Sequence, residues 1–474
     1  MKKNRDFSSL NELFKGSEGA FLTLSLIFGL MFLIVLPPLQ APDEHAHFFR
    51  AYQLTDGKII ADVLTEKKDR EERATYLGGG ALPSSVIRTA TVWAGRIPGH
   101  SSEKVKNEQF LETWAMPLEA EKTTRDVFNS APYSPIPYIP QMIGIAFGKL
   151  FNLPPLWLTY LGRFANLVIA TLITFVSIKV LPIYKWVFFL LALTPMALSQ
   201  RASLSADAVL NGVSFLLIAT IINCAFNSKK VKVLAKDVAL ISLGGILVSL
   251  SKIVYLPFVL LFFLIPRHKF DTRKNYWLSF LFLILSNVSI CFLWNLSVKH
   301  LGVPVSRITG ASIEGQVEYL YSHPLMVFSI AWNTLQNIRF ILDSFIGILG
   351  SLDTPIPTIT VLSYQVILVL VALVSNQAGI VISLSSKLTI LFVLGATVTL
   401  IHLLMYLVWT TVGGTDVLGV QGRYFIPTSP LFFLLLYNQR FSFDISEKSF
   451  QRLIIYYSVF ALLSSLIAMI ARYY

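Results

Sequence analysis

Apolar stretches of about 20 residues recur along this chain, and that is the length an α-helix needs to cross a bilayer. The first runs from Ala20 to Pro37, and others follow near 155–178, 186–199, 206–226, 276–297, 358–377, 388–410, 426–438 and 453–471. Lipid admits only backbones that satisfy their own N–H and C=O groups, so such runs read as helices. Composition agrees: 54% of the residues are apolar or aromatic and 14% are charged, against about a quarter charged in soluble domains. A soluble enzyme, a disordered chain and a fibrous repeat are excluded. Cys224 and Cys291 both lie inside apolar runs, so neither a disulfide framework nor a Cys-ligated metal site is expected. The formal net charge of +12 has no soluble basic domain through which to bind nucleic acid. Positive-inside topology and anionic lipid account for it instead.

One long polar stretch interrupts the pattern. Between Gln40 and Ser134 lie 12 of the 39 basic and 14 of the 27 acidic residues, and an insertion of that length is usually functional or independently structured. The basic flank Lys2, Lys3, Arg5 and Lys15 places the N-terminus in the cytoplasm. The expected organisation is therefore a cytoplasmic segment 1–19, a first transmembrane helix 20–38, a large extracytoplasmic loop 39–152 and a multi-helix body 153–474. The segment 136–151 is short and opens in a Pro-rich run. If it lies along the outer face, the basic clusters 229–236, 267–274 and 440–452 all fall inside. The amphipathic stretch 324–350 is expected to be a second outer-face helix, and short spans near 238–250 and 255–266 meet at Lys252. The count comes to about eleven transmembrane helices, N-terminus in and C-terminus out.

This arrangement leaves a remainder. Outside the polar stretch 40–134, Lys149, Arg163, Arg201, Lys252, Lys299, Arg307, Arg339, Arg423 and Arg472 fall on the outer side against the charge rule. Exposed loop positions suit Lys299, Arg307 and Arg472. Arg163, Arg201, Lys252 and Arg423 adjoin or enter spans, where charge is costly, and an anionic ligand at the outer face is a reason for them. The sharpest motif opens the loop, Pro42-Asp43-Glu44-His45-Ala46-His47-Phe48-Phe49-Arg50. If 42–54 is helical, Asp43, His47 and Arg50 share one face; helix capping by Asp43 and Glu44 with a surface ion pair is the plainer alternative. His45 and His47, two residues apart, do not share a helical face, so no metal is assigned, although a divalent ion stays open as an alternative. Tyr133, Asp207, Asp353, Gln421 and Tyr424 map to the same outer face and complete the candidate site. Gly78-Gly79-Gly80 is expected to be a flexible kink, and no phosphate-binding Gly-rich motif or nucleophile elbow occurs.

The segments PPLQAPDEHAHFFRAYQL, GRFAN, SLSADA, SKIVYLP, GSLDTPIP and VQGRYFIP occur in this order. Through them the chain resembles a family of bacterial integral membrane proteins of undefined function that looks related to the GT-C glycosyltransferases. The resemblance implies an all-α, GT-C-like polytopic fold with juxtamembrane helices in the bacterial cytoplasmic membrane. It also implies an inverting transfer from a polyprenyl-phosphate-linked sugar donor to an extracytoplasmic acceptor such as a surface glycan; no cofactor is expected. Asp43 and Glu44 match the acidic position of the first outer loop, with one of them the base and Asp43 preferred. Arg423, Arg163, Lys252 and Arg201 would bind the donor phosphate. A transporter or flippase of lipid-linked glycans is the alternative.

Overall fold

The structure is a computed structural model that describes residues 16–68, 74–95, 102–126, 130–301, 310–375, 379–441 and 446–474. The basic residues of the N-terminal flank and Arg307 lie outside the described residues. Among the described residues the protein is predominantly helical, and six helices are long and apolar enough to cross a membrane: Gly16–Val35, Pro155–Val180, Asp207–Phe226, Arg273–Val298, Leu384–Trp409 and Glu447–Tyr473. Shorter apolar helices span Ile253–Leu264 and Thr358–Val374.

Proline punctuates the remaining expected spans. The run 186–199 is two helices, Lys185–Ala192 and Pro195–Arg201, broken where the Thr194 hydroxyl caps the second by accepting from Ala197 N. The run 426–438 shortens to Ser429–Leu435 behind a 3₁₀ turn, Gly422–Phe425. The segment after Lys252 is a 3₁₀ helix, Ile253–Leu264, with Pro257 inside it, and that ring removes a backbone donor and disfavours an α-helix. The expected single helix over 324–350 is instead a pair, Met326–Gln336 and Ile338–Gly347.

The polar insertion is a folded cap. A three-stranded antiparallel sheet joins Asp62–Lys68, Ala74–Pro83 and Lys122–Asp126 in that order. Gly78-Gly79-Gly80 is thus part of a strand rather than a flexible kink. A Cβ on Gly78 would stand 2.5 Å from the Cβ of Ala131, and one on Gly80 would stand 2.9 Å from Gln53 Nε2, so glycine here permits close approach. Helices Ser84–Ala94 and Asn107–Trp114 join through Trp93, whose indole donates to Thr113 Oγ1 at 3.1 Å. Gln40 Nε2 donates to the Trp93 carbonyl at 2.7 Å and ties the cap to the end of the first helix. Buried Phe48, Phe49, Leu82, Val86, Trp93, Tyr138 and Ile145 form a core separate from that of the bundle.

Contacts sort the molecule into two ends. At one end Lys185 pairs with Glu18 at 3.5 Å, Lys230 with Asp237 at 2.7 Å, and Lys387 donates to the carbonyls of Leu435 and Tyr437. At the other end lie the cap, the two-stranded hairpin Ile348–Leu349/Thr354–Pro355 and the end of the last helix. There Lys104 Nζ donates to the Ala471 and Arg472 carbonyls, and Val105 N to that of Tyr473.

Candidate functional site

The Asp43 motif begins a helix two residues later than a shared face with His47 and Arg50 requires. The helix runs Glu44–Thr55, and Asp43 precedes it with φ 59°, a left-handed conformation that an L-residue adopts at a cost. Glu44 reaches back to the preceding turn: its Oε2 accepts from Ala41 N at 3.1 Å. Asp43 makes no side-chain cap and turns to Arg423, whose Nη2 donates to Asp43 Oδ2 at 3.3 Å.

Glu44 and Arg163 lock onto each other. Both are fully buried, and the guanidinium makes a two-pronged contact, Nε to Oε1 and Nη2 to Oε2, each 2.7 Å. Arg163 also donates to the carbonyls of Leu33, Leu36 and Pro37, while Glu44 Oε1 accepts from Leu204 N at 2.9 Å. Asn166 Nδ2 holds the Ser203 and Ser205 carbonyls beside them. A carboxylate and a guanidinium so engaged have no face to offer a substrate. They bolt the end of the first helix to the turn bearing Asp43 and the turn bearing Asp207.

Asp207 opens the Asp207–Phe226 helix, and its side chain is only 6% exposed. Lys252 Nζ donates to its Oδ1 at 2.6 Å, Gln200 Nε2 to its Oδ2 at 3.1 Å, and Arg423 Nη1 lies 3.6 Å from Oδ2. Gln200 is fixed in turn by Asn211 Nδ2 at 2.8 Å. Lys252 reaches this position because helix Ala235–Ser251 stops at it and the 3₁₀ helix starts after it, with Lys252 extended between (φ −153°, ψ 119°).

The Gly422–Phe425 turn brings the cations together. Gln421 Oε1 accepts from Arg423 Nε at 2.6 Å. The Tyr424 ring lies 4.8 Å from Lys252 Nζ and 5.3 Å from the Arg423 guanidinium, and its carbonyl accepts from Tyr255 OH at 2.6 Å. Gly422 presses on the Ile338–Gly347 helix so closely that a Cβ would overlap Phe345 N and Ile341 O. Gly422 N donates to Ser344 Oγ at 2.9 Å across that contact. Phe425 lines an almost wholly apolar groove of about 840 Å³, shared with Ile330, Ile341, Phe345, Leu394 and Phe433. The charged cluster and the groove therefore share one turn.

His47 lies against this cluster. Burial and the cations Arg423 and Lys252 outweigh the pull of Asp43 and Asp207 and push its imidazole down to about 4, so it is neutral at physiological pH. Its Nδ1 is 2.8 Å from Tyr138 OH, and its ring stacks on Tyr133 at 6.2 Å. Burial pushes the Tyr133 phenol up. Around Asp43 burial also acts upward, but the Arg423 guanidinium, with His47 and His45, wins and holds its carboxyl below the ordinary value.

The structure brings together Asp43, His47, Tyr133, Asp207, Lys252, Gln421, Arg423 and Tyr424, with Glu44 and Arg163 as their neighbours. Three expected members lie elsewhere. Arg50 turns from that face and donates to the carbonyls of Lys58 and Ile59, because the chain returns there after its helix. Arg201 points back along its own segment, donating to the Ala192 carbonyl, with its guanidinium 5.4 Å from the Phe21 ring. Asp353 pairs with Arg472 at 2.7 Å and closes the hairpin against the last helix. Two polar partners were not anticipated. Gln200, beside Arg201 in an otherwise apolar run, was legible as an unexplained amide; Tyr138 had no distinguishing signal. Among the described residues no group of three or more His, Cys, Asp or Glu is arranged to hold a metal ion.

A family model described as a predicted membrane protein (DUF2142) matches residues 26–432. No curated protein and no solved structure matches the chain.

Proposed function

The chain belongs to this family of predicted membrane proteins, and from the site it carries we propose that it is a GT-C-type glycosyltransferase using a polyprenyl-phosphate-linked sugar. The observation that carries this reading is the junction of two carboxylates and two cations with an apolar groove, through the single turn Gly422–Phe425. A lipid phosphate has the matching shape: the chain lies in the groove and the phosphate meets Arg423 and Lys252. Asp43, with 41% of its side chain exposed, faces the acceptor and serves as the general base. The acceptor O–H gives its proton to Asp43, its oxygen bonds to the anomeric carbon from the opposite face, and the bond from that carbon to the phosphate oxygen breaks. Prenyl phosphate leaves with the electron pair, and the charge that grows on it is met by preorganised cations. Arginine suits that task through its planar fork. Glu44 and Arg163 act as positioning residues, not as base and phosphate ligand.

The same reading places the molecule in a bacterial cytoplasmic membrane with the cap outside. Following the contacts from one end to the other supports about eleven passes, with the basic end of the bundle cytoplasmic. A cysteine at Lys252 labelled only from the cytoplasm would break this topology. For the reaction, purified protein is given a synthetic prenyl-phosphate sugar and candidate surface-glycan acceptors. Transfer is expected from the wild type and lost in Asp43→Asn and Arg423→Ala. Donor translocation without transfer would favour a flippase.

A further inference from the structure

We infer that Arg423 is a latch on Asp43: the guanidinium holds the carboxylate until an anionic group takes its place, so the base is released only when a lipid phosphate is bound. The inference rests on reading this site as one that binds a lipid phosphate, and not on glycosyl transfer itself.

The contacts within the cluster are graded. Lys252 to Asp207 is 2.6 Å and Glu44 to Arg163 is 2.7 Å, the lengths of strong charge-assisted bonds. Arg423 to Asp43 is 3.3 Å and Arg423 to Asp207 is 3.6 Å. The guanidinium is thus held firmly only through Nε, by Gln421 at 2.6 Å, and its two Nη groups make the long contacts. Those two groups form the edge that a phosphate binds in fork geometry. Asp207 cannot move away, since Lys252 and Gln200 grip both of its oxygens and Asn211 grips Gln200. Asp43 is the exposed partner, 41% against 6% for Asp207, and it stands on a backbone turn rather than inside a helix.

Charge points the same way. Two carboxylates balance two cations, and the neighbouring His47 adds none, so the cluster is neutral without a ligand. An incoming phosphate brings negative charge to a buried guanidinium, 4% exposed, which one of the carboxylates must then yield. Asp43 is the one able to do so. Once parted from its cation it sits beside the bound anion, and both changes raise its proton affinity. A base made stronger at that moment is one that acts with the donor in place and not before.

The test reads Asp43 directly. Purified protein in detergent is treated with a water-soluble carbodiimide and an amine, which label protonated carboxyls, and modification at Asp43 is quantified by mass spectrometry against exposed Glu447 as control. Dodecyl phosphate serves as the anion and dodecanol as its uncharged counterpart. At about pH 6, dodecyl phosphate is expected to raise Asp43 labelling by about threefold or more, dodecanol to leave it unchanged, and Glu447 to respond to neither. In Arg423→Gln, labelling starts high and no longer responds. Unchanged or reduced labelling in the wild type overturns the latch, as does failure of dodecyl phosphate to bind. If Arg423→Gln does not fold, the wild-type comparison decides alone. Release of Asp43 without sugar transfer would leave the latch standing and remove the transferase reading; transfer with unresponsive Asp43 would do the reverse.

Discussion

Adjacent acids with opposite fates show how the site is built. Asp43 and Glu44 are one residue apart, yet Asp43 is partly exposed and Glu44 is sealed against Arg163. Replacing Asp43 by Asn keeps the shape and removes the proposed proton acceptor, so the proposed transfer should fall by about 10²–10⁴-fold, with the thermal midpoint little changed. Arg163→Ala should act on stability instead. Removing one partner of a buried ion pair costs about 3–5 kcal/mol, read as a lower unfolding temperature in detergent. His47 adds a pH dependence. Its folded value is pushed down to about 4 from 6.5, so between those limits the unfolded chain binds the extra proton. Stability is therefore complete above about pH 6.5 and falls as the pH drops toward 4, by about 3 kcal/mol over the window. His47→Gln should flatten that decline, measured as the thermal midpoint at several pH values. Sequence spacing identified the acidic pair and favoured Asp43 over Glu44 as the base, but not the partner that sets the division of labour between them. That division depends on Arg163, which lies 119 residues from Glu44, and on a helix starting at Glu44 rather than Pro42.

At the scale of elements, the Gly422–Phe425 turn concentrates most of the design. Gly422 meets backbone atoms of the Ile338–Gly347 helix, atoms that cannot swing aside as a side chain would. Gly422→Ala should cost about 1–3 kcal/mol as an overpacked contact and weaken dodecyl phosphate binding together with stability, because it separates the groove from Arg423. The Gly-Arg-Tyr-Phe run was conspicuous in the sequence because a cation and polar residues stood beside an apolar segment. The groove was not, since its walls come from seven separate helical segments with no shared pattern. The broken helices were legible only in part: proline marks where one long α-helix does not continue, with Pro195 opening a new helix and Pro257 inside a 3₁₀ segment, but not what replaces it. Arg50 and Arg201 were misjudged for one physical reason. Each long side chain found backbone carbonyls nearer than the site, and carbonyls leave no trace in residue identity.

On the scale of the whole molecule, the division into an apolar bundle and a polar insertion was readable from composition alone. That the insertion is a cap with its own sheet and core was not, because its third strand pairs with the second across about forty residues and the second is glycine-rich. The cap is fastened at both ends of the chain: Gln40 ties it near the first helix, and residues 104 and 105 tie it to the last. Lys104 is synthesised 367 residues before Ala471. The contacts through residues 104 and 105 therefore cannot form until the Glu447–Tyr473 helix has left the ribosome, although the cap already meets an earlier helix where Trp114 packs on Trp157. Docking of this edge of the cap is thereby timed by synthesis of the Glu447–Tyr473 helix, and a nascent chain stalled before it would present that edge unhooked.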